Sequence, residues 1–247
     1  MPAGGADIRA AVAIDCEMGT NESGESELIR VTVVDYFTSE VLVDNLVEPD
    51  VGMRHLNTQF SGVTWADMKR ARNEGTLLKG KPSARAAVWW FVGTDTVVVG
   101  HGVSNDLRSL RWIHALVVDS FTIEFGFAKK KEEAELAAAA EKAKAAERAG
   151  HVAEFFDQGS LVGEYVPTEP PLANTSRVVP NDKGKETTER TQKKKKGSGN
   201  LSLKTLTQKR LGRQIQAGGK AGHDSLEDAI AARDLVHWII MNPNFER

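Results

Sequence analysis

Asp15 and Glu17 stand two residues apart at the end of an apolar run that begins at Ala11. If that run is a strand, side chains at i and i+2 leave the same face. Two carboxylates side by side at the end of a core strand repel each other and are costly to take out of water. A cation relieves both costs, and an all-oxygen donor set suits Mg²⁺ or Mn²⁺. The plain alternative is a surface strand with two solvated acids, and the pair alone does not decide. A third acid, Asp106, stands near the start of a later helix behind Gly100-His101-Gly102, where a carboxylate also serves as an ordinary helix-dipole partner. The fourth piece is His223-Asp224-Ser225-Leu226-Glu227-Asp228-Ala229. Both Ser225 with Asp228 and Asp224 with Glu227 match a capping box, so one acid is expected to cap the helix. That leaves His223 just outside the helix and another acid one turn inside it.

These groups are far apart in the chain, so other elements must bring them together. The run 11–14, reading on into Asp15-Cys16-Glu17-Met18, is expected to be a strand, with further strands over 28–34 and 41–47. A turn over 19–27 and short links imply an antiparallel meander. Helices are expected over 63–72 and 81–92, with Trp89, Trp90 and Phe91 as a core-facing cluster. A short buried strand, 96–99, leads to a helix over 105–113, in which Leu107, Leu110 and Ile113 fall at helical spacing. A strand over 116–118 ends at Asp119-Ser120, and helical periodicity returns over 201–211 and 225–240. Between these, 128–149 is almost entirely Ala, Glu and Lys, with Leu136 as its one large apolar residue. Such a segment is a good helix former with no face to bury, so a solvated helix is expected. The stretch 167–199, rich in Pro, Thr, Asn and Lys, is expected to be disordered. The domain reading is one discontinuous unit, 9–126 and 200–243, interrupted by an insertion at 127–199.

Taken together and in order, the motifs resemble the DEDDh 3′→5′ exonucleases, in the branch of REX-type RNA exonucleases. Asp15-Cys16-Glu17-Met18 matches the first motif. Gly100-His101 with Asn105-Asp106-Leu107-Arg108-Ser109-Leu110 matches the second, and the segment from His223 to Ala229 matches the third. Phe60-Ser61-Gly62-Val63-Thr64 and Ser202-Leu203-Lys204-Thr205-Leu206 also fit the family. The resemblance does not extend to the insertion. It implies an α/β, ribonuclease H-like fold: a mixed five-stranded sheet, three antiparallel strands then two more, with flanking helices. It implies two divalent cations, Mg²⁺ or Mn²⁺, held by Asp15, Glu17, Asp106 and Asp228. By that analogy Asp15 bridges both ions, Glu17 and Asp228 complete the site that activates water, and Asp106 supports the other. His223 is then the general base, a role an imidazole fills well near neutral pH. The implied reaction releases nucleoside 5′-monophosphates from single-stranded RNA 3′ ends. Single-stranded DNA is the alternative substrate, and a catalytically silent RNA-binding or scaffold module is the alternative of another class.

The remaining signals are weaker. Met18 and Phe60 are candidates to lie against the terminal nucleotide, and either also fits a core position. Cys16 should face away from Asp15 and Glu17, into the core. His101 is read as shaping its loop and His55 as a possible approach to substrate. His114, His151 and His237 are read as surface or packing residues. The formal net charge is −2, so the chain as a whole is not a basic nucleic-acid binder. Its charge is uneven, however: positions 177–213 carry twelve Lys or Arg against three Asp or Glu, centred on 193–196. That run reads as a phosphate-tracking segment, a nuclear import signal or a solvated linker. A single cysteine makes no internal disulfide. No apolar run approaches the roughly 18 residues of a membrane span. The expectation is an intracellular protein, nuclear or nucleolar, with no membrane partner.

Overall fold

The computed structural model describes residues 7–158, 198–218 and 222–245. It divides into two units, Met1–Lys129 with Ser198–Arg247, and Lys130–Gly197. The first unit is built on strand β1, Ala11–Asn21, which pairs antiparallel with β2, Ser26–Asp35. β2 in turn pairs antiparallel with β3, Val41–Glu48. On its other side β1 runs parallel to β6, Val97–Gly100, and β6 parallel to β7, Val117–Asp119. These are the five expected strands, three antiparallel and two more. Two short strands extend the sheet beyond that expectation. β4, Met53–His55, pairs with the far end of β1, and β5, Leu78–Lys79, pairs with β3. Neither is long enough to show a period of two, which is why the sequence is silent about them.

β1 also corrects the expected turn. The strand continues through Gly19 to Asn21, so the turn between β1 and β2 is confined to 22–25. A register shift between Glu17 and Met18 bulges the ladder just where the acids stand. Alternation along β1 sorts its residues onto two faces. Val12, Ile14 and Cys16 enter a core that includes Leu28, Val31 and Val33 of β2, with Ala84 and Val88 of α3, Gly80–Trp89. Ala13 faces the other way, toward Ala229 and Val236 of α7, Ser225–Met241. Burying a side chain such as Ile14 fully contributes on the order of 2 kcal/mol, which anchors the strand that carries the acids.

Of the other helices, α1, Thr58–Ser61, is a single turn, and α2, Trp65–Glu74, begins with a capping box between Thr64 and Asp67. α4, Ser104–Ser109, is shorter than the 105–113 expected. Arg111 adopts φ 49°, and the Trp112 N–H donates to the Leu107 carbonyl, closing the helix as a left-handed cap does. Trp112 is buried in place of Ile113, which is 95% exposed. In the expected aromatic cluster Trp89 and Phe91 pack against the core, but Trp90 is exposed, because α3 ends beneath it. α5, Ser120–Gln158, starts directly at the end of β7. α6, Leu203–Leu211, packs through Leu203 and Leu206 against Ala231, Ala232 and Leu235 of α7. Arg210 of α6 forms a two-bond ion pair with the buried Glu124 of α5, at 3.0 and 2.9 Å.

In the second unit the described residues are the helical ones, 130–158. Its side chains over 130–148 are exposed, as expected for a helix without an apolar face, and Leu136 is 64% exposed. The expected disordered stretch, but for its last two residues, lies outside the described residues, as does the basic centre at 193–196. Among the described residues no helix is long and apolar enough to cross a membrane.

Candidate active site

β1 delivers Asp15 and Glu17 to the sheet face covered by α7, and the first turn of α7 delivers Asp228. One carboxylate oxygen from each of the three lies within 4.8 Å of the others. Asp106 joins from α4, fully inside the protein, where its Oδ1 accepts the Cys16 backbone N–H at 3.0 Å. It therefore sits against the β1 backbone, at the flank of the triad. His223 stands beside Asp228, half exposed, with Nδ1 3.5 Å from Asp228 Oδ2.

Local structure settles which acid caps α7. Asp224 is the N-cap, accepting the Leu226 N–H at 3.1 Å. Ser225 turns inward instead, its hydroxyl 2.5 Å from that of Thr32 on β2. Glu227 accepts the Gln216 backbone N–H at 2.7 Å, so it closes no capping box. Asp228 is thus left facing the site. Ahead of the helix, Gly222 has φ 84°, and a Cβ there would fall 2.3 Å from the Gly62 nitrogen and 2.4 Å from the Thr58 carbonyl oxygen. Only glycine lets the chain pass α1 this closely. The His223 N–H then donates to the Phe60 carbonyl at 2.6 Å, which seats the imidazole segment on α1.

The cluster is electrostatically frustrated. Burial, then the charges of Asp106, Glu17 and Asp228, push the Asp15 carboxyl well above the usual carboxylate range. Burial and the Asp228 charge raise Glu17 to about 8. Burial likewise raises Asp106 and Asp228, the latter against a lowering by the Gln216 hydrogen bonds. Arg30 opposes these shifts at Asp15 and Glu17. It lies opposite Glu17 in the β1–β2 register and binds Asp44 (2.9 and 3.0 Å) and Asp224 (3.0 Å). A group of oxygen donors this crowded and this poorly compensated fits a hard divalent cation.

Two contributors were not legible in the sequence. Arg30 becomes a neighbour of Glu17 only through strand register. Gln216 comes from an irregular segment and donates through Nε2 to both Asp228 oxygens, at 3.1 and 2.9 Å. Of the substrate candidates, Phe60 is 60% exposed beside His223, and Met18 is half-buried, packed against the core of β1. The Met18 carbonyl accepts a hydrogen bond from Asn57, tying β1 to the α1 segment at 3.1 Å. Cys16 is buried, and burial pushes its thiol up, away from nucleophile chemistry. His101 lies 2.9 Å from the Ser120 hydroxyl, and burial lowers its pKa, consistent with a loop-shaping role. His114 contacts the Thr96 carbonyl at 2.7 Å, and His55 and His237 are exposed. The side chain of His151 lies outside the described residues.

No family model matches the chain. It is 29% identical over 227 residues to RNA exonuclease 3 of Eremothecium gossypii, covering 91% of this chain and 38% of that protein. It is 38% identical over 122 residues to small RNA degrading nuclease 3 of Arabidopsis thaliana, covering 49% of this chain and 15% of that protein. The chain is thus similar, over part of their length, to proteins named as RNA exonucleases. It spans well under half the length of these relatives. Among solved structures, the Saccharomyces cerevisiae Pan2 pseudoubiquitin hydrolase-RNA exonuclease module, solved with AAGGA RNA, superposes with a TM-score of 0.56 at 17% identity. The match covers 97% of this chain and 30% of that one. The fold of the chain is accordingly ribonuclease H-like.

Proposed function

We propose that this chain is a metal-dependent 3′→5′ exoribonuclease that releases nucleoside 5′-monophosphates from single-stranded RNA. The observation that carries the reading is the convergence of Asp15, Glu17 and Asp228, with Asp106 held against the β1 backbone and His223 beside Asp228. RNA as substrate is supported by the names of the relatives and by the RNA bound in the Pan2 structure. Asp15, Glu17, Asp106 and Asp228 would hold two divalent cations, Mg²⁺ or Mn²⁺. Such ions, when bound, acidify the attacking water and neutralise charge developing on the phosphate and the leaving oxygen.

The chain's own residues supply the rest. His223, exposed enough to meet solvent and oriented by Asp228, accepts the proton of the attacking water. The new phosphorus–oxygen bond forms as the bond to the 3′-oxygen of the preceding nucleotide breaks, and that oxygen takes a proton from solvent. Phe60 and Met18 border the place where the terminal nucleotide would lie, and an exposed aromatic ring stacks on any base.

The test is a gel assay on matched RNA and DNA oligonucleotides with Mg²⁺, Mn²⁺ or EDTA. Stepwise 3′ shortening of RNA that requires the cation is expected. Shortening that persists in EDTA, or preference for DNA, would contradict the reading.

A further inference from the structure

Beside the Asp106 flank lies a cavity of about 340 Å³. Met18, Asn105 and Ser109 line it, together with the cations Lys81, Arg108 and Arg111 and the acids Glu25 and Glu27. Its lining adjoins two of the acids along the chain. Met18 follows Glu17, Asn105 precedes Asp106, and the Ser109 hydroxyl donates to the Asp106 carbonyl at 2.8 Å. Its charges are only partly matched. Lys81 and Glu27 satisfy each other at 2.6 Å, both largely buried. That leaves two exposed arginines against one exposed acid, Glu25. Among the described residues neither Arg108 nor Arg111 has an ion-pair or hydrogen-bonded partner for its guanidinium. Arg111 also occupies the left-handed position that closes α4, where glycine is usual. An L-residue there is strained, because its Cβ crowds the following carbonyl oxygen.

We infer that this cavity grips the phosphates of the RNA strand that remains after cleavage, through Arg108 and Arg111. The inference rests on the exonuclease reading above. Water that loses its proton to His223 arrives from the His223 side. In an in-line displacement the 3′-oxygen then leaves on the far side. The retained strand hangs from that oxygen, and on this reading it leaves past Asp106, whose chain neighbours Asn105 and Ser109 line the cavity. A guanidinium is the group best suited to hold a phosphodiester there.

The test compares wild type with Arg108→Gln/Arg111→Gly and with a control pair on α2, Arg70→Gln/Arg72→Gln. Glycine accepts φ 49° without steric cost, so thermal stability of the first variant should hold or rise while its binding falls. Anisotropy of a labelled RNA of about ten nucleotides in EDTA gives the salt dependence of affinity. The slope of log K against log salt should shrink by about 1.4, from about 0.7 per phosphate contact. With Mn²⁺, KM for the same RNA should rise on the order of 10²-fold, the loss of two charge-assisted contacts at about tenfold each. A dinucleotide with a free 5′-hydroxyl has no phosphate upstream of the scissile one, so its kcat/KM should stay unchanged. The inference fails if the slope is unaltered, if the dinucleotide suffers equally, or if the α2 pair reduces the slope as much. If wild type cleaves neither substrate, the exonuclease reading fails, and the salt slope still judges whether the cavity binds phosphates.

Discussion

The two faces of β1 make a sharp contrast. Val12, Ile14 and Cys16 are apolar, buried and matched by apolar partners from β2 and α3. On the opposite face Asp15 and Glu17 meet Asp228 in a cluster whose charges Arg30 offsets only in part. One face gains stability by excluding water. The other gives stability up, because it brings like charges together in a place that water reaches poorly. A strand can bear the second only because the first fixes it. Under the proposed function, the same contrast separates residues that determine whether the protein folds from residues that carry its chemistry.

Substitutions should therefore differ in kind between the faces. Asp15→Asn is expected to abolish nearly all cation-dependent shortening of RNA while raising the melting temperature in EDTA, since it removes a buried repulsion. A variant that lost both activity and stability would show that Asp15 is structural. His223→Ala should lower turnover by about 10²- to 10⁴-fold, the usual contribution of a general base. Cation binding, followed by Mn²⁺ titration, should be retained. Full turnover in that variant would remove His223 from the mechanism. On the other face Ile14→Ala should cost about 2–5 kcal/mol in urea unfolding. Activity per folded molecule should change little by comparison.

The smallest expected effect is on pH dependence. Glu17 is raised from 4.5 to about 8, and Asp15, Asp106 and Asp228 are raised too. Over that window the folded protein holds protons that the unfolded chain has released. Stability in EDTA should then fall as pH rises from about 5 toward 8. Asp35 and Asp67, whose carboxyls are held low by hydrogen bonds, act below that window. A divalent cation replaces the protons, so Mn²⁺ should raise the melting temperature more near pH 8 than near pH 5. A melting temperature in EDTA that climbs across this range would mean the acids are already ionised and compensated.

Much of the architecture was legible because it follows from period. The β-branched runs of β1, β2 and β3 and the helical spacing of α7 each announce an element over its own length. What was misread follows from context. Ile113 has helical spacing with Leu107 and Leu110, yet the chain turns at Arg111 before reaching it. Trp90 is as apolar as Trp89 but falls past the end of α3. β4 and β5 are too short to carry a pattern and exist only because β1 and β3 offer them an edge.

By itself the sequence determined the identity of the acids and the imidazole, because residue type and two-residue spacing are local properties. It also determined the strand that carries Asp15 and Glu17. Only the tertiary structure decided that Asp224 rather than Asp228 caps α7, and that Arg30 and Gln216 attend the cluster. Only the fold, too, placed Arg108 and Arg111 around a cavity beside Asp106. Those outcomes depend on strand register and on the docking of α1 and α4 against β1. Register and docking are set by contacts between residues far apart in the chain, which no local pattern encodes.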